Sequence, residues 1–179
     1  MIKNIEFKAK YRNVQAAEAI LNSLNAEYRG EDHQTDTYFN VRSGRLKMRQ
    51  GNIENALIYY QREDNPDASP SDVILYNSDY PDKILSILKI TVGVKIIVKK
   101  IRKIYLIKNV KIHLDKVSRL GTFLEVEAID SDNTRSASEL QEQCEHFKKV
   151  FAINDTDLIS VSYSDMLLAL DDRNELFNV

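Results

Sequence analysis

The sequence predicts an α+β fold: a closed antiparallel eight-stranded β-barrel, a tunnel with helices packed outside it. About eight segments have the length and alternation of strands, and most are joined by short turns. The helical segments come early, in the middle and at the end of the chain, so they do not alternate with strands as in βαβ folds. We expect residues 1–179 to form one domain of this kind.

The elements of the first half follow from spacing and turn residues. Residues 2–11 alternate and predict a strand, and residues 14–28 carry apolar side chains at helical spacing. The polar residues 29–34 predict a connection. Further alternating runs predict strands at 35–40, 45–50, 56–62 and 72–77, with a loop rich in turn residues at 63–71.

The second half is delimited in the same way. Pro81 suits the first turn of a helix over about 82–91, and Gly93 ends it. A hairpin and a further strand follow, and then two segments with apolar residues on one helical face. These elements are predicted at 94–106, 110–117 and 122–130 for the strands, and at 136–151 and 160–170 for the helices.

Composition excludes several classes of protein. The net charge of −2 gives no general attraction to nucleic acid or to a membrane surface. The single cysteine, Cys144, excludes an internal disulfide and a cysteine zinc cluster. The N-terminus carries no apolar leader, and no apolar run is long enough to cross a bilayer. We therefore expect a cytoplasmic protein without nucleic-acid or membrane partners, and a homodimer stays open.

Charged residues occupy one face of several predicted strands. In the first strand Glu6, Lys8 and Lys10 lie opposite Ile5 and Phe7. The other charged positions with this parity are Arg45, Lys47 and Arg49 in the third strand, Lys100 and Arg102, then Lys111, His113 and Asp115, and finally Glu125 and Glu127.

Two interpretations of these faces are open. Each face can be solvated above an apolar core, as in many antiparallel sheets. Alternatively, the sheet closes with helices over its apolar outside, and the charged faces line a lumen. Basic and acidic residues segregate by strand, which favours the second interpretation. A lumen with both signs suits a polyphosphate with a divalent cation such as Mg²⁺ or Mn²⁺.

Several stretches, in order along most of the chain, resemble the CYTH superfamily, also called triphosphate tunnel metalloenzymes. They are IEFKAK at 5–10, QTDTYF at 34–39, GRLKMR at 44–49, VKKIRKIYLIKNVKIHLDKV at 98–117, LGTFLEVEAI at 120–129 and VSYSDMLLAL at 161–170. That group includes class IV adenylate cyclases, thiamine triphosphatases and inorganic tripolyphosphatases. The resemblance implies a closed tunnel and a metal-dependent reaction on a triphosphate.

The resemblance also implies roles for individual residues. Phosphate oxygens would be bound by Lys8, Lys10, Arg45, Lys47, Arg49, Arg62, Lys100 and Arg102. Mg²⁺ or Mn²⁺ would be held by Glu6, Asp115, Glu125 and Glu127, and the catalytic set would be Glu6, Lys10 and Arg102. Either Arg62 or Gln61 faces the tunnel. The family pattern Glu-x-Glu-x-Lys reads Glu6-Phe7-Lys8-Ala9-Lys10 here, so a carboxylate is replaced by Lys8 and the site holds one metal or two.

These observations leave three functions open. The first is hydrolysis of an organic or inorganic triphosphate, with ATP, thiamine triphosphate or tripolyphosphate as the small-molecule partner. The second is a class IV-type adenylate cyclase, which converts ATP to cyclic AMP and pyrophosphate. The third is a non-catalytic module that binds polyphosphate or a nucleotide, which Lys8 makes plausible. His113 has the parity of the charged face, whereas the apolar helical position of Cys144 predicts a core residue.

Overall fold

A computed structural model describes residues 2–61, 69–77 and 80–176 of the chain. In these ranges eight antiparallel strands and four α-helices form an α+β fold, which confirms this part of the prediction. The strands are β1 Ile2–Lys10, β2 Glu27–Phe39, β3 Arg45–Gln50, β4 Ala56–Gln61, β5 Ser69–Asn77, β6 Val94–Ile107, β7 Val110–Val117 and β8 Gly121–Asp130. The helices are α1 Val14–Ser23, α2 Pro81–Thr91, α3 Ala137–Val150 and α4 Tyr163–Leu176.

The strands form one curled sheet. They pair in the order β1-β5-β4-β3-β2-β6-β7-β8, and β1 pairs with β8 as well as with β5. The outer face of the sheet carries helices, and the inner face surrounds a cavity. Within the described ranges, no helix has the length and apolar character of a membrane span.

The longest pairing in the sheet joins β2 and β6, and it corrects the sequence prediction for residues 29–34. These residues are not a connection, because β2 runs from Glu27 to Phe39 along β6. A register shift between Tyr28 and Gly30 marks a bulge, and Gly30 has a φ of 130°, which only glycine adopts readily. The side chains at 29–34 are polar and do not alternate as in a typical strand. Their backbone is nevertheless held in a strand by its pairing with β6.

Other element boundaries also differ from the sequence prediction. The first helix ends at Ser23 rather than at residue 28, because Asn25 adopts a left-handed φ of 54°. Strand β5 begins at Ser69, so it includes the end of the predicted loop at 63–71. Helix α4 begins at Tyr163, three residues later than predicted.

The apolar faces of β1, β7 and β8 form the main core beneath α1 and α3. Ile5 and Phe7 are buried there, together with Leu21 of α1 and Phe147 of α3. Burial of each such side chain contributes about 1.5–3 kcal/mol. Cys144 belongs to the same cluster, as predicted, and burial raises the pKa of its thiol to about 12. The helices therefore cover the apolar face of these strands, and the charged face is left to the interior.

Candidate functional site

A cavity of about 560 Å³ lies on the inner face of the sheet. Charged side chains of both signs line it, which is rare inside proteins unless the charges are paired or bind a ligand. The basic lining residues are Lys8, Lys47, Arg49, Lys100, Arg102 and Lys111, and the acidic ones are Glu6, Glu54, Glu125 and Glu127. The cavity thus brings together residues from strands that are far apart in the sequence.

Eight of the residues that the sequence assigned to phosphate or metal line this cavity. They are Glu6, Lys8, Lys47, Arg49, Lys100, Arg102, Glu125 and Glu127. Their positions follow from the two-residue period of the strands. Glu6 and Lys8 face inward while Ile5, Phe7 and Ala9 between and beside them lie in the helix-covered core.

Three other residues of the predicted set do not line the cavity, and a fourth is outside the described part of the chain. Lys10 is exposed at the end of β1, and Arg45 pairs with Asp165 of α4, with Nη2 and Oδ2 2.8 Å apart. Asp115 is buried behind Arg102 and is not among the residues that line the cavity. Arg62 lies outside the described residues. Roles for these four in binding stay predictions.

Asp36 on β2 joins three of the basic residues. Its carboxylate is fully buried and accepts hydrogen bonds from Lys47 at 3.0 Å, from Lys100 at 3.2 Å and from Arg49 at 2.9 and 3.0 Å. Burial raises the pKa of Asp36, but Arg49, Lys100 and Lys47 outweigh it and hold the pKa well below its usual range. The charged carboxylate therefore fixes the three cations against the same wall.

Arg102 is held by a second buried carboxylate. Its Nε and Nη2 donate to the two oxygens of Asp115 at 2.7 and 2.5 Å, and Nη2 also contacts Oε2 of Glu125. Tyr163 of α4 donates its hydroxyl to Asp115 at 2.9 Å. A two-point ion pair of this kind fixes the orientation of the guanidinium plane.

Lys100 is a buried lysine that lies between cations and an anion. Burial lowers the pKa of its ammonium to about 7, with a further contribution from Arg102. Asp36 opposes this effect but does not cancel it. The ammonium of Lys100 therefore loses its proton more readily than that of an ordinary lysine, and an added anion beside it would favour the charged form.

The loop between β3 and β4 supplies Glu54. The buried carboxylate of Asp32 accepts the backbone N–H groups of Ile53 and Glu54, each at 3.0 Å. Gly51 must be glycine here, because a Cβ would lie 2.7 Å from Oδ2 of Asp32. Glu54 then accepts a hydrogen bond from Arg49 at 2.8 Å. Burial raises its pKa, but Arg49 and other cations lower it well below the usual range.

The acidic side of the cavity contains a mixed cluster of three residues. His113, Glu125 and Glu127 each offer a ligand atom, and these atoms lie within 4.8 Å of one another. His113 is 2% exposed, and neither ring nitrogen has a hydrogen-bond partner in the described structure. Glu6 lines the cavity beside Glu127, its cross-strand partner. Carboxylates and imidazole are ordinary ligands of divalent cations, so the donor set fits a metal.

Lys8 lies against this cluster. Its Nζ is 3.6 Å from Oε1 of Glu125 and donates to the carbonyl of Val161 at 3.1 Å. The ammonium also sits 4.3 Å from the centre of the Tyr163 ring. The cation that replaces the expected glutamate therefore neutralises part of the acidic cluster.

Sequence reasoning missed several residues of the site. Asp36 lies in the segment QTDTYF at 34–39. It is two residues before Tyr38, which lines the cavity, so the two-residue period of the strand is the signal that could have identified it. Glu54 comes from a loop, where no periodicity marks an inward position. Tyr163 comes from a helix that packs across the sheet, so its place depends on tertiary structure alone.

Comparison with known proteins agrees with this architecture. The CYTH domain family model matches residues 3–163. None of the curated proteins compared with the chain matches it. Among solved structures, the PH1012 protein from Pyrococcus horikoshii OT3 is similar, with a TM-score of 0.79 and 23% identity over 90% of this chain and 98% of that one.

A second similar structure comes from Vibrio parahaemolyticus and is called a "putative adenylate cyclase". Its TM-score is 0.73, with 20% identity over 92% of this chain and 97% of that one. At such identities these likenesses establish the fold. The family model spans all eight strands and reaches the first residue of α4. The chain belongs to the CYTH domain family.

Proposed function

We propose that the protein binds an organic triphosphate together with one divalent cation in this cavity and hydrolyses it. The observation that carries the proposal is the pairing of a basic and an acidic group of side chains in one cavity of about 560 Å³. Lys47, Arg49, Lys100 and Arg102 come from β3 and β6, and the carboxylates come chiefly from β1 and β8. The cations suit phosphate oxygens, and the carboxylates suit the metal.

The proposal includes the tunnel form of the domain. The pairing of β1 with both β5 and β8 supports a sheet that closes around the cavity. Closure would surround a triphosphate with cations from several walls and would exclude bulk water from the site.

The basic residues are positioned before a ligand arrives. Asp36 and Asp115 hold Arg49 and Arg102 through two-point ion pairs on the buried side of the cavity wall. Fixed donors stabilise charge that develops on phosphoryl oxygens without a cost of reorganisation during the reaction. We assign binding and charge stabilisation to Lys47, Arg49, Lys100 and Arg102.

The metal would be held by Glu125 and Glu127, with His113 and Glu6 beside them. When bound, Mg²⁺ or Mn²⁺ polarises a phosphoryl oxygen and lowers the pKa of water. The position of Lys8, 3.6 Å from Glu125, supports one metal rather than two, because its ammonium supplies positive charge on that side of the cluster.

The lining from β4 and β5 favours an organic triphosphate over an inorganic one. Ala56, Ile58 and Tyr60 of β4 and Val73 and Leu75 of β5 give this part of the cavity an apolar surface. Inorganic tripolyphosphate has no apolar part to place against it, whereas a nucleobase or a thiazole ring does.

The same apolar surface favours a second candidate, the adenylate cyclase reaction. The Vibrio protein that carries a cyclase name shares this fold. In that reaction the ribose hydroxyl of ATP attacks the α-phosphorus, cyclic AMP forms and pyrophosphate leaves. Hydrolysis and cyclisation need the same basic and acidic groups, so the lining of the cavity does not distinguish them. Identification of the products does.

The experiment is product analysis after incubation with Mg²⁺ or Mn²⁺ and ATP, thiamine triphosphate or tripolyphosphate. We expect orthophosphate from an organic triphosphate, and cyclic AMP with pyrophosphate would instead support the cyclase. Glu127→Gln should abolish metal-dependent turnover, whereas the control Glu142→Gln, on the exposed side of α3, should retain it. Tight binding without turnover would replace hydrolysis with a binding module, and no binding of any triphosphate would refute the proposal.

A further inference from the structure

His113 is a buried histidine that lies close to two carboxylates without a hydrogen bond to either ring nitrogen in the described part of the chain. It is 2% exposed and lines the cavity, and neither nitrogen makes a hydrogen bond with the described residues. Buried polar atoms are nearly always paired, since an unpaired one costs about 1–3 kcal/mol. A neutral ring in this position therefore has room for a further partner beside the two carboxylates.

The two nearest acidic groups are on the neighbouring strand. Nδ1 of His113 lies 3.8 Å from Oε2 of Glu125 and 3.6 Å from Oε1 of Glu127. Both separations are too long for hydrogen bonds. Donor atoms that share a metal at bond lengths near 2.1 Å lie roughly 3.0–3.5 Å apart. The three donor atoms here lie within 4.8 Å of one another, so they would have to approach by about 1 Å to share a metal.

We propose that His113 is a nitrogen ligand of the divalent cation and makes the site select Mn²⁺ and the later first-row metals over Mg²⁺. Imidazole suits first-row transition metals such as Fe²⁺, Ni²⁺ and Zn²⁺. Mn²⁺, at the weak end of that series, binds carboxylates well but accepts a nitrogen ligand more readily than Mg²⁺, which keeps to oxygen donors. The inference rests on the proposed function for the location of the metal. To that function it adds His113 as one ligand of the metal, and a preference for Mn²⁺ and later first-row metals over Mg²⁺.

The test uses the metal alone, without triphosphate. Pulsed EPR of bound Mn²⁺ should detect coupling to a directly bonded nitrogen, and this coupling should change when the protein is labelled with ¹⁵N-histidine. His113→Gln should abolish the nitrogen coupling. The matched control His146→Gln removes an exposed histidine of α3 and should leave the coupling intact.

Titration calorimetry gives the selectivity. The protein should bind Mn²⁺ at least about tenfold more tightly than Mg²⁺, and His113→Gln should lower Mn²⁺ affinity about 10–100-fold with little change for Mg²⁺. Mn²⁺ bound without nitrogen coupling, coupling that survives His113→Gln, or no binding of Mn²⁺ would each overturn the inference. If His113→Gln fails to fold, the ¹⁵N-labelled wild-type protein alone still shows whether a histidine nitrogen is bonded to Mn²⁺.

The outcomes are distinct from those of the proposed function. A protein that hydrolyses a triphosphate but binds Mn²⁺ through oxygen alone refutes only the histidine ligand. A protein that binds Mn²⁺ through nitrogen but neither binds nor hydrolyses a triphosphate refutes only the proposed function.

Discussion

Asp36 and Arg49 are direct cross-strand partners on β2 and β3, and the carboxylate accepts two hydrogen bonds from the guanidinium, at 2.9 and 3.0 Å. Both side chains are buried. The orientation of Arg49 is therefore set by a neighbouring strand and exists before any ligand binds. The same carboxylate also holds Lys47 and Lys100, so one residue positions three of the six described basic residues that line the cavity.

Replacement of Asp36 by Asn should destabilise the protein strongly. The change leaves the buried Arg49 and Lys100 and the partly buried Lys47 without their shared anion. Loss of one partner in a buried ion pair costs about 3–5 kcal/mol. Chemical denaturation would measure the free energy of unfolding. The control Asp165→Asn removes a more exposed partner of Arg45 and should cost no more than about 1 kcal/mol. Equal effects of the two substitutions would contradict the central role of Asp36.

The stability of the protein should rise with pH above neutrality because of Lys100. Its pKa is lowered to about 7 in the folded protein, against about 10.4 in the unfolded chain. Between these values the unfolded chain binds the additional proton, so the free energy of unfolding should increase by up to about 1.4 kcal/mol per pH unit. Urea denaturation at several pH values between about 8 and about 9.4, one unit inside each limit, would measure this slope.

A substitution identifies the source of that slope. Lys100→Met should remove the increase with pH, whatever its effect on absolute stability. Lys116→Met, at an exposed position of β7, should keep it. An unchanged slope in Lys100→Met would mean that another group titrates.

Replacement of Gly51 by Ala should disturb the loop that carries Glu54. The added Cβ would meet the buried carboxylate of Asp32, which holds the loop through two backbone N–H groups. We expect a loss of about 1–3 kcal/mol in the free energy of unfolding. A double-mutant cycle with Asp32→Ala tests the cause, because the cost of Gly51→Ala should fall in that background. An equal cost in both backgrounds would rule out the contact with Asp32.

Removal of the ammonium at position 8 should strengthen metal binding. Lys8 lies 3.6 Å from Glu125 and competes with any cation for that carboxylate. Lys8→Gln should therefore raise the affinity for Mn²⁺ by about tenfold in calorimetric titrations. Lys10→Gln, two residues along the same strand and exposed, is the control and should leave the affinity unchanged. A fall in affinity for Lys8→Gln would show that Lys8 supports the metal site instead of opposing the metal.

The sequence predicted the site where strand alternation alone decides which way a residue faces. Glu6, Lys8, Arg49, Arg102 and Glu127 line the cavity for that reason. The same rule placed Asp115 on the correct strand face, but it did not reveal that Arg102 and Tyr163 occupy both of its oxygens. The alternation along a strand determines which face of the sheet a side chain points to. How deeply that side chain is buried, and which residues it pairs with, depends on the neighbouring strands and helices.

Other features depended on long-range contacts. Residues 29–34 form a strand because β6 pairs with them, although their own side chains are polar. Glu54 enters the cavity because Asp32 fixes the backbone of its loop. His113 had the correct parity, but its unpaired ring and its distance to Glu127 are visible only in three dimensions.

We propose that the cavity binds a triphosphate, and a comparison of phosphate ligands of different length tests this proposal. Calorimetry with tripolyphosphate, pyrophosphate and orthophosphate, each with the same divalent cation, compares the ligands by the number of phosphoryl groups. We predict one molecule of tripolyphosphate per chain, bound at least about 100-fold more tightly than orthophosphate, because it reaches several fixed cations at once. Arg49→Met should remove most of this preference. Equal affinities for tripolyphosphate and orthophosphate, or a preference that Arg49→Met leaves intact, would refute a triphosphate site in this cavity.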